Sequence, residues 1–231
     1  MANDHLPAQD NLTPQERLRI GQQATWGSVV VNLLLTVAQI VVGWIGHSQS
    51  LIAHGIHSFS DLLSDFLVLY ASRQGASPAD AGHPYGHARM ETAATLVLGI
   101  SLALIGGGIL WETGTRLQGE VVLPPVEWET LWVAVFTVLA KEGLYHYLVR
   151  VARRLRSQLL TANALHTRAD AASALVVVVG IGGALLGWPF LDLLAAALMG
   201  FMILRMGAQL GWQAMQELID TGLDGTEVEA I

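Results

Sequence analysis

Apolar residues run through this chain in long blocks, not at alternate positions. Six blocks can be marked off, at about 22–47, 50–73, 88–116, 127–152, 158–187 and 189–218. Each reaches the roughly 20 residues that an α-helix needs to cross the hydrocarbon core of a bilayer. None shows the period-2 alternation of a transmembrane barrel strand. The pattern therefore predicts an all-α membrane protein, a six-transmembrane-helix bundle. It divides into a 1–21 N-terminal cytoplasmic segment with a short helix, a 22–219 six-helix domain and a 220–231 tail.

Composition agrees with the pattern. Hydrophobic residues make up 52% of the chain and charged residues only 13%, with a mean hydropathy of +0.47. Soluble domains carry charge on about a quarter of their positions. Met1 to Asn11 is polar with no basic start, so it does not read as a cleavable signal. Thr13-Pro14-Gln15-Glu16 reads as a helix start, with Thr13 as cap, Pro14 in the first turn and Glu16 closing a capping box. That predicts a short surface helix leading into the first span.

The twelve basic residues set the orientation. Arg17 and Arg19 precede the first span, Arg73 and Arg89 flank the second loop, and Arg150, Arg153, Arg154 and Arg156 crowd the fourth. The other three connections are nearly free of them, with only Arg116 nearby. By the positive-inside rule both termini are cytoplasmic. The net charge of −7 and the lack of a basic stripe outside these loops give no sign of nucleic-acid binding. With no cysteine, disulfides, thiolate catalysis and soft sulfur metal sites are excluded.

Two spans carry a histidine followed four residues later by an aspartate, His57/Asp61 and His166/Asp170. Residues i and i+4 share one face of a helix. Each pair is a bidentate clip, and two clips supply the four N and O ligands of a tetrahedral divalent ion. An aspartate at the centre of a membrane helix costs roughly 2.5–3.5 kcal/mol on insertion scales. Counted at 1.5 Å per residue from the cytoplasmic ends, Asp61 lies about 18 Å and His57 about 24 Å deep in the second span. His166 and Asp170 lie about 15 and 21 Å deep in the fifth. The depths overlap in antiparallel helices, so the pairs can face each other. Polar glue between helices is the alternative; two matched pairs at one depth favour metal.

Other polar residues add to this. Asp80, His83 and His87 offer one carboxylate and two imidazoles on a Gly/Pro-rich turn, a candidate auxiliary site. His54 and Asp65 extend the polar stripe of span two, either as an ion path or as a face turned to a hydrated interior. Lys141, Glu142, Glu91 and Glu112 lie within apolar spans, and each is expected to find a partner on another span. The glycines at 106–108, 180, 183, 207 and 211 and the alanines at 195–197 suit close helix approach.

These residues resemble the cation diffusion facilitator family, proton-coupled exporters of zinc and related ions. The resemblance runs from about Ser28 to Asp220. Ser28-Val-Val-Val-Asn32 is similar to the start of the family's first helix, and Ser50-Leu-Ile-Ala-His-Gly-Ile-His57-Ser-Phe-Ser-Asp61 to its second-helix signature. His83-Pro-Tyr-Gly-His87-Ala-Arg-Met-Glu91 is similar to its loop-to-third-helix signature. Tyr145 to Arg154 and Ala162-Asn-Ala-Leu-His166-Thr-Arg-Ala-Asp170-Ala-Ala-Ser173 complete the match. The resemblance implies a transport site on His57, Asp61, His166 and Asp170 and an auxiliary site on Asp80, His83 and His87. It also implies a homodimer that rocks between inward-open and outward-open states. A histidine in the first position goes with Zn²⁺; Cd²⁺ or other divalent transition metals are the further range. Gln39 stands where a lysine is common and His54 where an aspartate is. The cytosolic domain usual after the sixth span is expected to be absent here.

The function expected is divalent metal efflux, most readily of Zn²⁺, by proton-coupled antiport from a multi-pass protein of a bacterial inner membrane. Its partners are divalent metal ions, protons, the lipid bilayer and a second copy of the chain. A passive divalent-cation channel is the first alternative. An intramembrane zinc metalloprotease is the second; it wants a His-Glu-x-x-His run, absent here, and an open ligand position. No enzyme activity is expected.

Overall fold

A computed structural model describes residues 13–75, 88–119 and 124–219. They form six α-helices: α1 (Pro14–Ile45), α2 (Gln49–Gly75), α3 (Ala88–Leu117), α4 (Trp128–Leu155), α5 (Gln158–Leu185) and α6 (Phe190–Leu218). No strand occurs among the described residues. The helix limits follow the apolar blocks closely except at the start. There the expected short surface helix is continuous with the first span, because nothing between Glu16 and Trp26 breaks the run beyond a lone Gly21. The capping box forms as read: Glu16 N–H donates to Thr13 Oγ1 at 3.3 Å, and Thr13 N–H donates to Glu16 Oε2 at 2.8 Å.

Four helices are long and apolar enough to cross a membrane by length and composition: α1, α3, α5 and α6. The two that fall short, α2 and α4, carry most of the mid-helix ionisable groups, including His57, Asp61, Lys141 and Glu142. Two apolar clusters, around Leu51, Val177, Ile181 and Met199 and around Ala24, Leu148 and Ala164, form the core, but polar groups share the interior and large apolar side chains cover the outside. Gln39, His54, Ser58, Lys141 and Asp170 are buried, while Trp26, Trp44, Leu104, Trp111, Trp132, Phe136 and Val179 lie exposed on the outside. Such a surface suits lipid, and the polar groups have withdrawn into the bundle, as intramembrane ionisable side chains do.

α3 packs along α6 with backbones in contact. A Cβ added at Gly106 would lie 2.4 Å from Leu204 N, and one at Gly207 would lie 2.4 Å from Ala103 N. Small residues permit this approach where lipid offers no hydrophobic drive to associate. Gly107 and Gly108, grouped with them on sequence, face open space, so only one residue of the triplet serves packing. Gly106→Val should therefore lower stability by about 2–3 kcal/mol, the range for overpacking against backbone that cannot yield. Gly108→Val should shift it by less than about 1 kcal/mol. Thermal melting in detergent, compared between the two variants, checks this.

At the α1–α2 turn, buried Asp192 of α6 collects three donors. Ser48 Oγ donates to Oδ1 at 2.8 Å, Gln49 N–H donates to Oδ2 at 2.8 Å, and Ser50 Oγ also bonds Oδ1. The carboxylate thereby caps the first turn of α2 from another helix, where the positive end of the helix dipole favours an anion. Helix α2 is pinned at this end, and its chemistry begins two turns further on.

Candidate metal centre

His57 and Asp61 lie one turn apart on α2, and His166 and Asp170 one turn apart on α5, so each pair shares a face of its helix. The structure brings the four together. Asp61 Oδ2 lies 3.9 Å from His57 Nε2 and 3.9 Å from His166 Nε2, and His166 Nε2 lies 3.9 Å from Asp170 Oδ1. Ligand atoms of His57, Asp61 and Asp170 all fall within 4.8 Å of one another. Bonds of 2.0–2.1 Å in a tetrahedron separate ligand atoms by roughly 3.3 Å. Contraction by about 0.6 Å along the three 3.9 Å edges brings those atoms to tetrahedral spacing, a movement within the reach of side-chain torsions.

Burial grades across the quartet. The side chains of Asp61 and Asp170 are 12% and 9% exposed, whereas that of His166 is 52% exposed. His166 thus forms the open edge. Asp61 Oδ2 has no hydrogen-bond donor although it is buried, and His57 Nδ1 has no partner either. Buried carboxylate oxygens are ordinarily satisfied, so an oxygen facing two imidazoles without a donor suits a cation as its partner.

A fifth residue reaches the centre. Lys141 of α4, 1% exposed, places Nζ 2.8 Å from Asp170 Oδ2 and 3.3 Å from Ser58 Oγ. Sequence reasoning assigned Lys141 an unnamed partner on another span and missed that the partner is itself one of the quartet. The signal was available: an ammonium in the middle of a long, largely apolar segment needs a carboxylate within reach, and Asp170 is one of few. The same expectation is corrected for two acids. Glu142 pairs with His146 at 3.3 Å and Glu112 with Arg116 at 2.6 Å, each one turn along its own helix. Both pairs are partly exposed, and the i,i+4 neighbour is the cheapest partner for a side chain that faces outward. Glu91, Asp65, Asp80, His83 and His87 lie outside the residues whose side chains are described.

Beside the quartet runs a seam of polar atoms between α1 and α2. Asn32 Oδ1, Thr36 Oγ1 and Gln39 Oε1 on α1, with both ring nitrogens of His54 on α2, are buried without partners. Gln39 Nε2 donates to Thr137 Oγ1 at 3.1 Å, and the His54 ring stands 6.5 Å from that of His57.

The cation efflux transmembrane domain matches residues 25–219. The chain is 31% identical over 228 residues to Metal tolerance protein 2 of Oryza sativa subsp. japonica, covering 88% of this chain and 59% of that protein. It is 34% identical over 217 residues to Metal tolerance protein C1 of Arabidopsis thaliana, covering 88% and 46%. It is 26% identical over 216 residues to Manganese efflux system protein MneS of Bacillus subtilis, covering 94% and 73%. The chain spans about half to three fifths of the length of the two plant relatives.

Proposed function

The chain belongs to the cation efflux family, and on that premise we propose that it moves a divalent metal ion, Zn²⁺ first, across a membrane in exchange for protons. It is an integral membrane protein. All six helices cross the bilayer in this reading, with residues 22–219 as the transport domain and both termini on the cytoplasmic side. The chain works as a homodimer.

One observation carries the reading: a buried Asp61 oxygen without a donor, equidistant from two imidazoles on different helices. His57, Asp61, His166 and Asp170 are the proposed transport ligands, and Asp80, His83 and His87 an auxiliary site that gathers the ion at the membrane face. Two nitrogens and two oxygens suit Zn²⁺ in a four-coordinate site. Metal ligands must be deprotonated, so protons and metal compete for the same atoms. Histidine changes charge between about pH 5 and 8, which lets protons from the more acidic side displace the ion. The polar seam of Asn32, Thr36, Gln39 and His54 places further buried oxygens and ring nitrogens without partners beside the centre.

In proteoliposomes, Zn²⁺ flux should rise about tenfold when a proton gradient is imposed in the exchanging direction, read with a metal-sensitive dye. Flux indifferent to the gradient would leave the passive-channel reading in its place. Manganese is the second cargo to test, because a relative is named a manganese efflux protein and carboxylate oxygens suit Mn²⁺. Competition of Mn²⁺ against Zn²⁺ in the same assay ranks the two.

A further inference from the structure

We propose that Lys141 is a tethered cation that stands in for the cargo on Asp170, so that it sets how tightly the centre holds an ion and how readily it lets go. The inference rests on reading the quartet as the transport site.

The two carboxylates of the centre are treated unequally. Asp61 Oδ2 has no donor, whereas Asp170 Oδ2 accepts from Lys141 Nζ at 2.8 Å. The ammonium arrives from α4, a helix that supplies none of the four ligands, and it also reaches Ser58 Oγ, one residue along α2 from His57. It is therefore within a single side-chain movement of two ligand-bearing helices. Its side chain is 1% exposed, so neither water nor lipid offers it another counter-ion.

Charge arithmetic gives this contact a consequence. Two carboxylates alone carry −2 and would be neutralised by a divalent ion, which is the arrangement of a trap. With one fixed ammonium the empty centre carries −1 and the loaded centre +1. An arriving ion must push the ammonium off Asp170 or bind beside it, and either weakens binding. When the ion leaves, the ammonium returns, so Asp170 is not left as an unpaired buried charge, the costly outcome for an ion pair that loses one member. No proton need be gained or lost by the lysine for this exchange. A purely structural lysine would hold α4 to α5 at any carboxylate; this one holds a carboxylate that the ion itself requires.

The test is Zn²⁺ binding to purified protein by isothermal titration calorimetry, with turnover measured in proteoliposomes. Lys141→Met keeps the length of the chain and removes the charge; it should bind Zn²⁺ at least tenfold more tightly and turn over several-fold more slowly. Lys141→Arg should bind at least tenfold more weakly, because a guanidinium can hold both oxygens of a carboxylate at once. Binding by K141M that equals or falls below the parent's, or binding by K141R as tight as the parent's, overturns the proposal. If K141M fails to fold, as judged by size-exclusion chromatography, the K141R result decides alone. A parent protein that binds no Zn²⁺ removes the quartet reading itself, whereas a parent that binds while both variants match it removes only the role given to Lys141.

Discussion

Asp61→Asn should cut Zn²⁺ uptake by proteoliposomes at least about 100-fold while the protein still folds. Asp61 Oδ2 is the hub of the centre, 3.9 Å from an imidazole on each of two helices. The amide keeps the size of the side chain but gives up its negative charge. It can also turn an N–H₂ toward the ion, a group with no lone pair to offer. Groups that merely orient a ligand typically cost 10–100-fold in affinity or activity when lost, so loss of the charged ligand proposed here lies at or beyond the top of that range. His166→Ala should do less, about tenfold to 30-fold by the same scale, because His166 stands at the exposed edge, where water can take the position proposed for its imidazole. The ranking is the informative part. Uptake in D61N within threefold of the parent, at equal amounts of folded protein, would refute the assignment.

Asp192→Ala should be the most damaging change to stability outside the centre, at about 3–4 kcal/mol. The carboxylate is 2% exposed and accepts from Ser48 Oγ, Gln49 N–H and Ser50 Oγ. Removing it strands two buried hydroxyl donors and the part-buried Gln49 N–H; a buried donor left without a partner costs about 1–3 kcal/mol. It also takes the anion from the start of α2. Some of the loss is recovered because Ser48 and Ser50 hydroxyls can rotate toward backbone carbonyls. For a chain of this length 1 kcal/mol moves the melting temperature by roughly 2–4 °C, so a drop of about 10 °C is expected in detergent. Asp192→Asn, which retains an acceptor, should lose less than half as much. A melting temperature unchanged in the alanine variant would show that the clamp contributes nothing.

The sequence could be read well where the physics is local. Helix limits followed from apolar run length, and Thr13 and Glu16 announced a capping box that forms with both hydrogen bonds. The four ligand candidates were visible because i,i+4 spacing is itself a statement about geometry. The convergence of α2 on α5 is different; overlapping depth made it possible, and only packing could settle it. What escaped reading was pairing across the bundle. Lys141 and Asp170 lie 29 residues apart, and Ser48 and Asp192 lie 144 apart; no periodicity links such positions. Glu112 and Glu142 failed in the opposite sense: intramembrane acids were expected to reach for another helix, but these two face outward and are served by Arg116 and His146 one turn away. Gly106 could not be told from Gly107 and Gly108 because composition carries no facing direction.

The carboxylate knot at the head of α2 has a mechanical corollary. With Ser48, Gln49 and Ser50 tied to α6, that end of α2 is the natural fulcrum for any swing of the helix. Asp61, twelve residues along, sits on a lever arm of about 18 Å at 1.5 Å per residue. A tilt of only about 10° there sweeps its carboxylate through roughly 3 Å, comparable with the gap between a ligand and its neighbour. A modest rocking of one rod, hinged at its far end, is thus enough to part Asp61 from the α5 side chains or bring it back without unwinding a single turn.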